Sequence, residues 1–163
     1  MKKNLLTTML ALMLFAVPTV MFGQTTKTEP AKDKTTTSTS GKVIYLTSEE
    51  FKKKVFDYQK NGNNWKFEGK KPCIVDFYAD WCRPCKIIAP ILEELAETYK
   101  DQIVIYKVNT DKEKEVAGAF AIRSIPSLLF CPKEGKSEMI VGGRSKEDFV
   151  KLIEEKLLAK KNK

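Results

Sequence analysis

The sequence predicts an α/β domain between Lys42 and Lys163, with a mixed central sheet and helices on both faces. Two observations support this prediction. Short apolar strands alternate with helical stripes in the order βαβαβα, followed by ββα. The first strands should be parallel through helical crossovers, whereas the last two strands, separated by a short turn, should form an antiparallel hairpin.

A short strand and a capped helix open the domain. Residues 43–46 are apolar enough for a strand, and Thr47 with Glu50 has the spacing of a capping box, which begins a helix. Three side chains should be buried on one face of this helix: Phe51, Val55 and Tyr58. Residues 59–71, rich in Asn and Gly, predict a loop whose Trp65 and Phe67 fold back onto the core.

A buried strand and a long helix follow. Residues 73–78 form an apolar run, and the helix begins after Cys82. Its inward-facing side chains recur at helical spacing: Ile88, Ile91, Leu92, Leu95 and Tyr99. Pro90 should bend this helix, because the proline nitrogen cannot donate a hydrogen bond.

The second half of the domain contains three strands and two helices. Residues 103–108 predict a strand, and Asp111 begins a short helix that ends near Phe120. Residues 127–131 and 138–141 flank a turn with Pro132 and Gly135, which indicates a hairpin. Ser145 caps a last helix whose inner face carries four apolar residues: Phe149, Leu152, Ile153 and Leu157.

The residues before this domain predict export. Residues 1–23 combine two early lysines with a long apolar run, which is typical of a signal peptide cleaved after Gly23. An uncleaved membrane anchor is the alternative, because the charge-free stretch is nearly long enough to span a bilayer. Residues 24–41 form a disordered Thr/Ser/Lys linker without a core. We therefore expect a periplasmic or secreted protein, anchored to the membrane only if the first segment is retained.

Composition narrows the possible chemistry. The chain has 163 residues, no His, four Cys and a formal net charge of +8. The lack of His excludes catalysis by Ser-His or Cys-His pairs and the usual imidazole-ligated metal sites. The lysines form short scattered runs without interleaved aromatic residues, so a nucleic-acid partner is not expected.

The candidate chemistry lies at Cys82-Arg83-Pro84-Cys85, where a predicted strand leads into a helix. The unpaired amides of a helix N-terminus favour a thiolate on the first cysteine, and Arg83 adds a nearby positive charge. Pro84 suits the first helical turn, where a missing N–H is tolerated. Two intervening residues bring the sulfurs close enough to form and break a disulfide.

A C-x-x-C pair has two alternatives to redox activity: an inert structural disulfide and half of a zinc site. Zinc would need two more ligands, which in a chain without His would be Cys73 and Cys131. Both lie in apolar strands, so no metal is expected. The βαβ context favours a redox pair over a structural bridge.

Three segments of the chain resemble the thioredoxin family: residues 76–86, 89–92 and 122–127, together with Gly142. The resemblance covers essentially all of residues 42–158 and implies a thioredoxin fold. It implies that Cys82 is the exposed attacking sulfur and Cys85 the buried resolving one. It also implies that Pro126 is cis and faces the disulfide. The implied substrate groove consists of Trp81, Arg83, Pro84, Ile125, Pro126 and Gly142.

Asp76 is an acid within an apolar strand, so burial should raise its pKa. The resemblance implies that Asp76 deprotonates Cys85 when the mixed disulfide resolves. It also implies that Lys107, on the adjacent strand, pairs with Asp76 and tunes it. The alternative is a buried ion pair with a purely structural role.

The chain departs from the family pattern at two places. The family has Gly-Pro between its active cysteines, whereas this chain has Arg83-Pro84, whose charge could make the pair more oxidising and leaves the direction of electron flow open. Cys73 and Cys131 are additional cysteines on strands that are adjacent in the thioredoxin sheet. Buried free thiols are favoured there over a cross-strand contact.

The predicted function is that of an exported protein disulfide reductase that exchanges disulfides through Cys82 and Cys85. No cofactor is expected, because the two sulfurs carry both electrons. The expected partners are disulfide-containing proteins as substrates and a membrane electron carrier or reductase as electron source. The alternatives are a disulfide oxidase or isomerase using the same residues, and a binding module without turnover.

Overall fold

The computed structural model describes residues 41–159, which contain a five-stranded mixed sheet. The predicted signal segment, residues 1–23, lies outside the described residues, as do residues 24–40 and 160–163. The strands are β1 (Ile44–Tyr45), β2 (Cys73–Tyr78), β3 (Val104–Asn109), β4 (Ser127–Cys131) and β5 (Glu138–Val141). Their order across the sheet is β1-β3-β2-β4-β5.

The strand directions confirm the predicted mixed sheet. β1 and β2 both run parallel to β3, whereas β4 is antiparallel to β2 and to β5. β2 lies at the centre, and its first five residues are buried. A central strand covered on both faces needs apolar side chains in both directions, which explains the continuous apolar run in the sequence.

Helices cover both faces of the sheet, as predicted. They are α1 (Ser48–Lys54), α2 (Tyr58–Asn61), α3 (Arg83–Thr98), α4 (Lys114–Ala119) and α5 (Lys146–Leu152), which continues into a π-helical segment (Ile153–Leu158). Side chains of β2 alternate between two hydrophobic clusters. Ile74 joins the cluster with α3 and α5, whereas Val75 and Phe77 join the cluster with α1 and α4. This alternation follows from the period of two in a strand.

The predicted N-terminal caps of α1 and α5 are present. The Thr47 hydroxyl accepts the Glu50 N–H at 3.2 Å, and the Glu50 carboxylate accepts the Thr47 N–H at 3.1 Å, which completes the capping box. Ser145 caps α5 by accepting the Asp148 N–H at 3.1 Å. Each cap satisfies a helix N–H group that has no partner within the helix.

One predicted helix is divided in the structure. We expected Phe51, Val55 and Tyr58 on one helix face, but α1 ends at Lys54 and Tyr58 begins the separate α2. The Val55 carbonyl accepts the Glu68 N–H at 2.9 Å, and Phe56 is buried in the core. The Asp57 side chain then caps α2 at the Lys60 N–H. The chain therefore turns to bury Phe56 and starts a new helix.

The start of α4 also differs from the prediction. Asp111 does not begin the helix, because the side-chain oxygen of Asn109 accepts the N–H groups of Asp111 and Lys112 at 3.0 and 3.3 Å. This turn delays the first helical residue to Lys114. Asp111 is thereby free to contact Trp81, as described below.

The fold places the candidate site at the carboxyl end of β2. The short segment from Ala79 to Cys82 connects β2 to α3, so the disulfide lies beside the first turn of α3. Pro90 lies inside α3, where the ladder of hydrogen bonds lacks one donor.

Between residues 41 and 159 we find no helix with the length and apolar character needed to cross a membrane.

Candidate active site

A disulfide between Cys82 and Cys85 forms the centre of the site. Cys82 is the N-cap of α3, and its sulfur accepts the Cys85 N–H at 3.2 Å. A helix N-terminal amide that donates to this sulfur stabilises negative charge there. The geometry therefore favours Cys82 over Cys85 as the thiolate in the reduced protein.

The expected exposure of Cys82 is wrong for the disulfide form. Cys82 and Cys85 are 2% and 3% exposed, so both residues are buried. Ala79 is packed with the two cysteines, and Tyr78 and Ile125 lie against them. The disulfide also holds the Cys82 side chain against α3. The chemical difference between the sulfurs in this state is their hydrogen bonding rather than their exposure.

Trp81 is the most prominent apolar group at the site, with 70% of its surface exposed. Its indole Nε1 donates to the Asp111 carboxylate at 2.9 Å, which fixes the orientation of the ring. Arg83 and Pro84 are exposed at the first turn of α3, as the sequence predicts for groove residues. Asp111 is a site residue that sequence analysis missed, because its position indicated a helix start instead.

The Ile125–Pro126 peptide bond is cis, as the resemblance implied. The Gly142 N–H donates to the Pro126 carbonyl at 2.8 Å, which places Gly142 beside this loop. Gly142 has a φ of +89°, a conformation that glycine adopts without strain. Ile125 makes no backbone hydrogen bond within residues 41–159, so its N–H and carbonyl are available to pair with an extended peptide.

Asp76 and Lys107 form a buried ion pair between β2 and β3. They are directly opposite in the β2–β3 register, and Lys107 Nζ donates to Asp76 Oδ2 at 2.6 Å. Asp76 is fully buried, and its other oxygen, Oδ1, has no hydrogen-bond partner among the described residues. Burial raises the pKa of Asp76, although the charge of Lys107 opposes this effect. A buried carboxyl with a raised pKa and an unpartnered oxygen is suited to proton transfer.

The structure does not join Asp76 directly to the disulfide. Within residues 41–159 the hydrogen bond at Cys82 Sγ comes from the Cys85 amide, and none connects Asp76 to Cys85. Lys107 Nζ also lies 4.5 Å from the centre of the Tyr78 ring. The Tyr78 ring therefore lies against the ammonium group of the ion pair.

The two remaining cysteines occupy directly opposed positions on β2 and β4. Cys73 and Cys131 are free and fully buried in the described part of the chain. Burial raises the pKa of the Cys131 thiol well above its usual range, and the neighbouring Cys73 raises it further. The thiols are buried and free, as expected, and the cross-strand contact that was the alternative is present as well. Residues 41–159 contain no group of three Cys, Asp or Glu side chains placed to hold a metal.

Comparison with known proteins agrees with this geometry. The thioredoxin family model matches residues 42–155. The chain is 46% identical to a thioredoxin of Borreliella burgdorferi over 69% of its own length and 96% of the relative. It is 37% identical to a thioredoxin of Acidithiobacillus ferridurans over 72% of its length and 99% of the relative. A chloroplastic M-type thioredoxin of Spinacia oleracea is 42% identical over 60% of this chain and 55% of the relative.

The family model spans the five strands, α1 to α5 and the disulfide described above, and the bacterial relatives match over nearly their whole length. The chain therefore belongs to the thioredoxin family of protein-disulfide oxidoreductases.

Proposed function

We propose that this protein is an exported disulfide reductase that transfers two electrons from Cys82 and Cys85 to disulfides in other exported proteins. One observation supports the assignment of roles above all others. Cys82 Sγ accepts an amide hydrogen bond at the N-terminus of α3, next to the unpaired backbone of Ile125. A substrate segment that pairs with Ile125 would bring its disulfide to the sulfur on which negative charge is stabilised.

The reaction proceeds by two thiol–disulfide exchanges. The Cys82 thiolate attacks one sulfur of the substrate disulfide, forming a mixed disulfide and releasing the other substrate sulfur as a thiolate. The Cys85 thiolate then attacks Cys82 Sγ and releases the second substrate sulfur. The substrate gains two electrons and two protons, and the protein retains the Cys82–Cys85 disulfide.

Asp76 supplies the base for the second exchange. Burial raises the pKa of its carboxyl, which makes Asp76 a stronger base than an exposed carboxylate for the proton that Cys85 must lose. Lys107 holds one carboxylate oxygen and leaves Oδ1 without a protein partner within residues 41–159. Since no hydrogen bond joins Asp76 to Cys85 in the disulfide form, the transfer requires a rearrangement or an intervening water.

Export is supported by the charge and hydropathy pattern of residues 1–23 and by the Thr-, Ser- and Lys-rich composition of the residues that follow. Outside the cytoplasm, the oxidised pair must be reduced again before another turnover. We therefore include a membrane electron carrier or reductase as the source of two electrons. Cleavage would release the domain, whereas retention of the first segment would anchor it to the membrane.

Insulin reduction by dithiothreitol tests the enzymatic part of this proposal. The protein should accelerate precipitation of the insulin B chain, whereas Cys82→Ser should abolish the acceleration. Lys60→Gln is a surface control, since Lys60 is exposed on α2, outside the segments that form the candidate groove. Stoichiometric binding of insulin without acceleration would instead support a non-catalytic binding module.

Fractionation of the producing cells tests export separately. We expect the protein in the periplasm or medium, with Gln24 as its first residue by mass spectrometry. An intact N-terminus in the membrane fraction would support the anchor. Recovery of the intact chain from the cytoplasm would contradict export and leave the exchange chemistry unaffected.

A further inference from the structure

Three exposed arginines lie along the segments that form the candidate groove. Arg83 follows Cys82, Arg123 lies two residues before Ile125, and Arg144 lies two residues after Gly142. None of the three has an ion-pair partner within residues 41–159. Their charges are therefore available to a bound molecule.

Arg144 is held close to the groove by its own geometry. Its Nη1 donates to the Gly143 carbonyl at 2.9 Å and lies 3.3 Å from the position that a Cβ atom on Gly142 would occupy. Gly142 is in turn hydrogen-bonded to the Pro126 carbonyl. The guanidinium thus lies over the glycine that contacts the cis-proline loop.

The acidic side chains at the Trp81 end do not cancel this charge. Asp80 has Lys112 4.0 Å away, which offsets its charge. Asp111 accepts the hydrogen bond of the uncharged Trp81 indole, so its single negative charge is set against the three arginines. The three arginines therefore exceed the free negative charge in these segments, and the excess lies where a substrate must approach.

We propose that this groove selects disulfides flanked by acidic residues, with Asp or Glu within two or three positions of the substrate cysteine that Cys82 attacks. Such a carboxylate would lie within about 7–10 Å of that cysteine along an extended peptide. Arg144 lies over Gly142, and the exposed Arg123 and Arg83 belong to the adjoining groove segments, so the three positive charges would attract this carboxylate. This inference rests on the proposed function, because it names the substrate class of the same site.

Electrostatic complementarity of this kind acts mainly on the rate of encounter and on discrimination between partners. Exposed charges are screened by salt, so the preference should be strongest at low ionic strength. We expect the second-order rate constant for an acidic substrate to exceed that for a basic one by roughly three- to tenfold at low salt.

Two peptides of the same length test the proposal. Each carries one disulfide, and they differ only in having Glu or Lys on both sides of the cysteine. Stopped-flow fluorescence of Trp81 and Trp65 measures their reaction with the pre-reduced protein at about 20 and 300 mM salt, which correspond to weak and strong screening. The Glu peptide should react faster, and the difference should shrink at high salt.

Variants of the arginines test which side chains cause the preference for the Glu peptide. Arg144→Gln and Arg123→Gln should each reduce the ratio of the two rate constants, and the double variant should reduce it further. Lys60→Gln removes the same charge from α2, outside the groove segments, and should leave the ratio unchanged. If Arg144 pairs with the substrate, its replacement should change the KM or the encounter rate, and this change should become smaller as the salt concentration rises. A purely structural role for Arg144 would not give this salt dependence.

Equal rates for the two peptides would overturn the proposal, as would an unchanged ratio in the arginine double variant. If Lys60→Gln reduced the ratio of the two rate constants as much as the arginine variants do, the preference would come from the net charge of the protein. That result would also overturn the proposal. If neither peptide reacted while the protein remained folded, the proposed function itself would fail. Reaction of both peptides at one rate would refute only the substrate preference.

Discussion

Replacing Asp76 with Asn should change the pH dependence of stability in a defined direction. In the parent protein Lys107 Nζ lies 2.6 Å from the Asp76 carboxylate. The Asn side chain keeps an oxygen that can accept a hydrogen bond from Lys107 Nζ, but it has no group that titrates. Burial raises the pKa of Asp76 in the folded protein. The folded state therefore binds a proton at pH values where the unfolded carboxyl, with a pKa of about 3.9, is already ionised.

The sign follows from proton linkage. When the folded state binds more protons, the free energy of unfolding decreases as pH rises. Relative to Asp76→Asn, the parent protein should lose about 1.4 kcal/mol for each pH unit between the unfolded and folded pKa values of this carboxyl. Above the folded pKa the difference should become constant. Any pH-independent cost of placing Lys107 beside an amide cancels in this comparison.

Urea unfolding of the two oxidised proteins between pH 4 and 9 measures this difference. Asp101→Asn is the matched control, because Asp101 is exposed and forms no ion pair within residues 41–159. The stability of the parent relative to Asp76→Asn should fall with rising pH, while the control should follow the parent. A difference that is constant with pH, or that grows in favour of the parent, would refute the raised pKa.

The remaining predictions concern the sulfurs, the charge between them and one helix cap. Cys85→Ser should accumulate mixed disulfides at Cys82 that mass spectrometry detects, and alkylation of Cys85 before Cys82 in the reduced parent would reverse the two roles. Arg83→Gly should raise the pKa of the Cys82 thiol and make the protein a slightly stronger reductant, since a nearby cation stabilises the thiolate; identical thiolate absorbance titrations would show that Arg83 does not act on Cys82. Thr47→Ala should lower the free energy of unfolding by about 1 kcal/mol, because the Glu50 N–H loses its acceptor, and an unchanged urea midpoint would contradict this.

Local patterns were sufficient to predict most of the fold. The strands at residues 73–78, 127–131 and 138–141 match the structure, because apolar runs and a turn with Pro and Gly determine them directly. The division between α1 and α2 could not be predicted, because the burial of Phe56 and the bond from Glu68 depend on tertiary contacts. Likewise, the delayed start of α4 depends on the side chain of Asn109.

The candidate site was predicted in part. The C-x-x-C spacing and the buried Asp76 indicate their chemistry in the sequence, and the structure places Lys107 directly opposite Asp76. Sequence did not reveal the contact of Asp111 with Trp81 or the position of Arg144 over Gly142. Both depend on loops that meet only in the folded protein, and an exposed charged residue gives no signal of its side-chain direction. The burial of Cys82 also depends on packing across the groove.

The reduction potential of the Cys82–Cys85 pair tests the proposed reductase most directly. Equilibration with glutathione buffers, followed by alkylation and mass spectrometry, gives the fraction of disulfide at each ratio of reduced to oxidised glutathione. We predict a potential near the reducing end of the range, close to the value of about −270 mV that is typical of thioredoxins. A potential near the value of about −120 mV found for a strong disulfide oxidant would contradict the proposal and assign this site to disulfide formation.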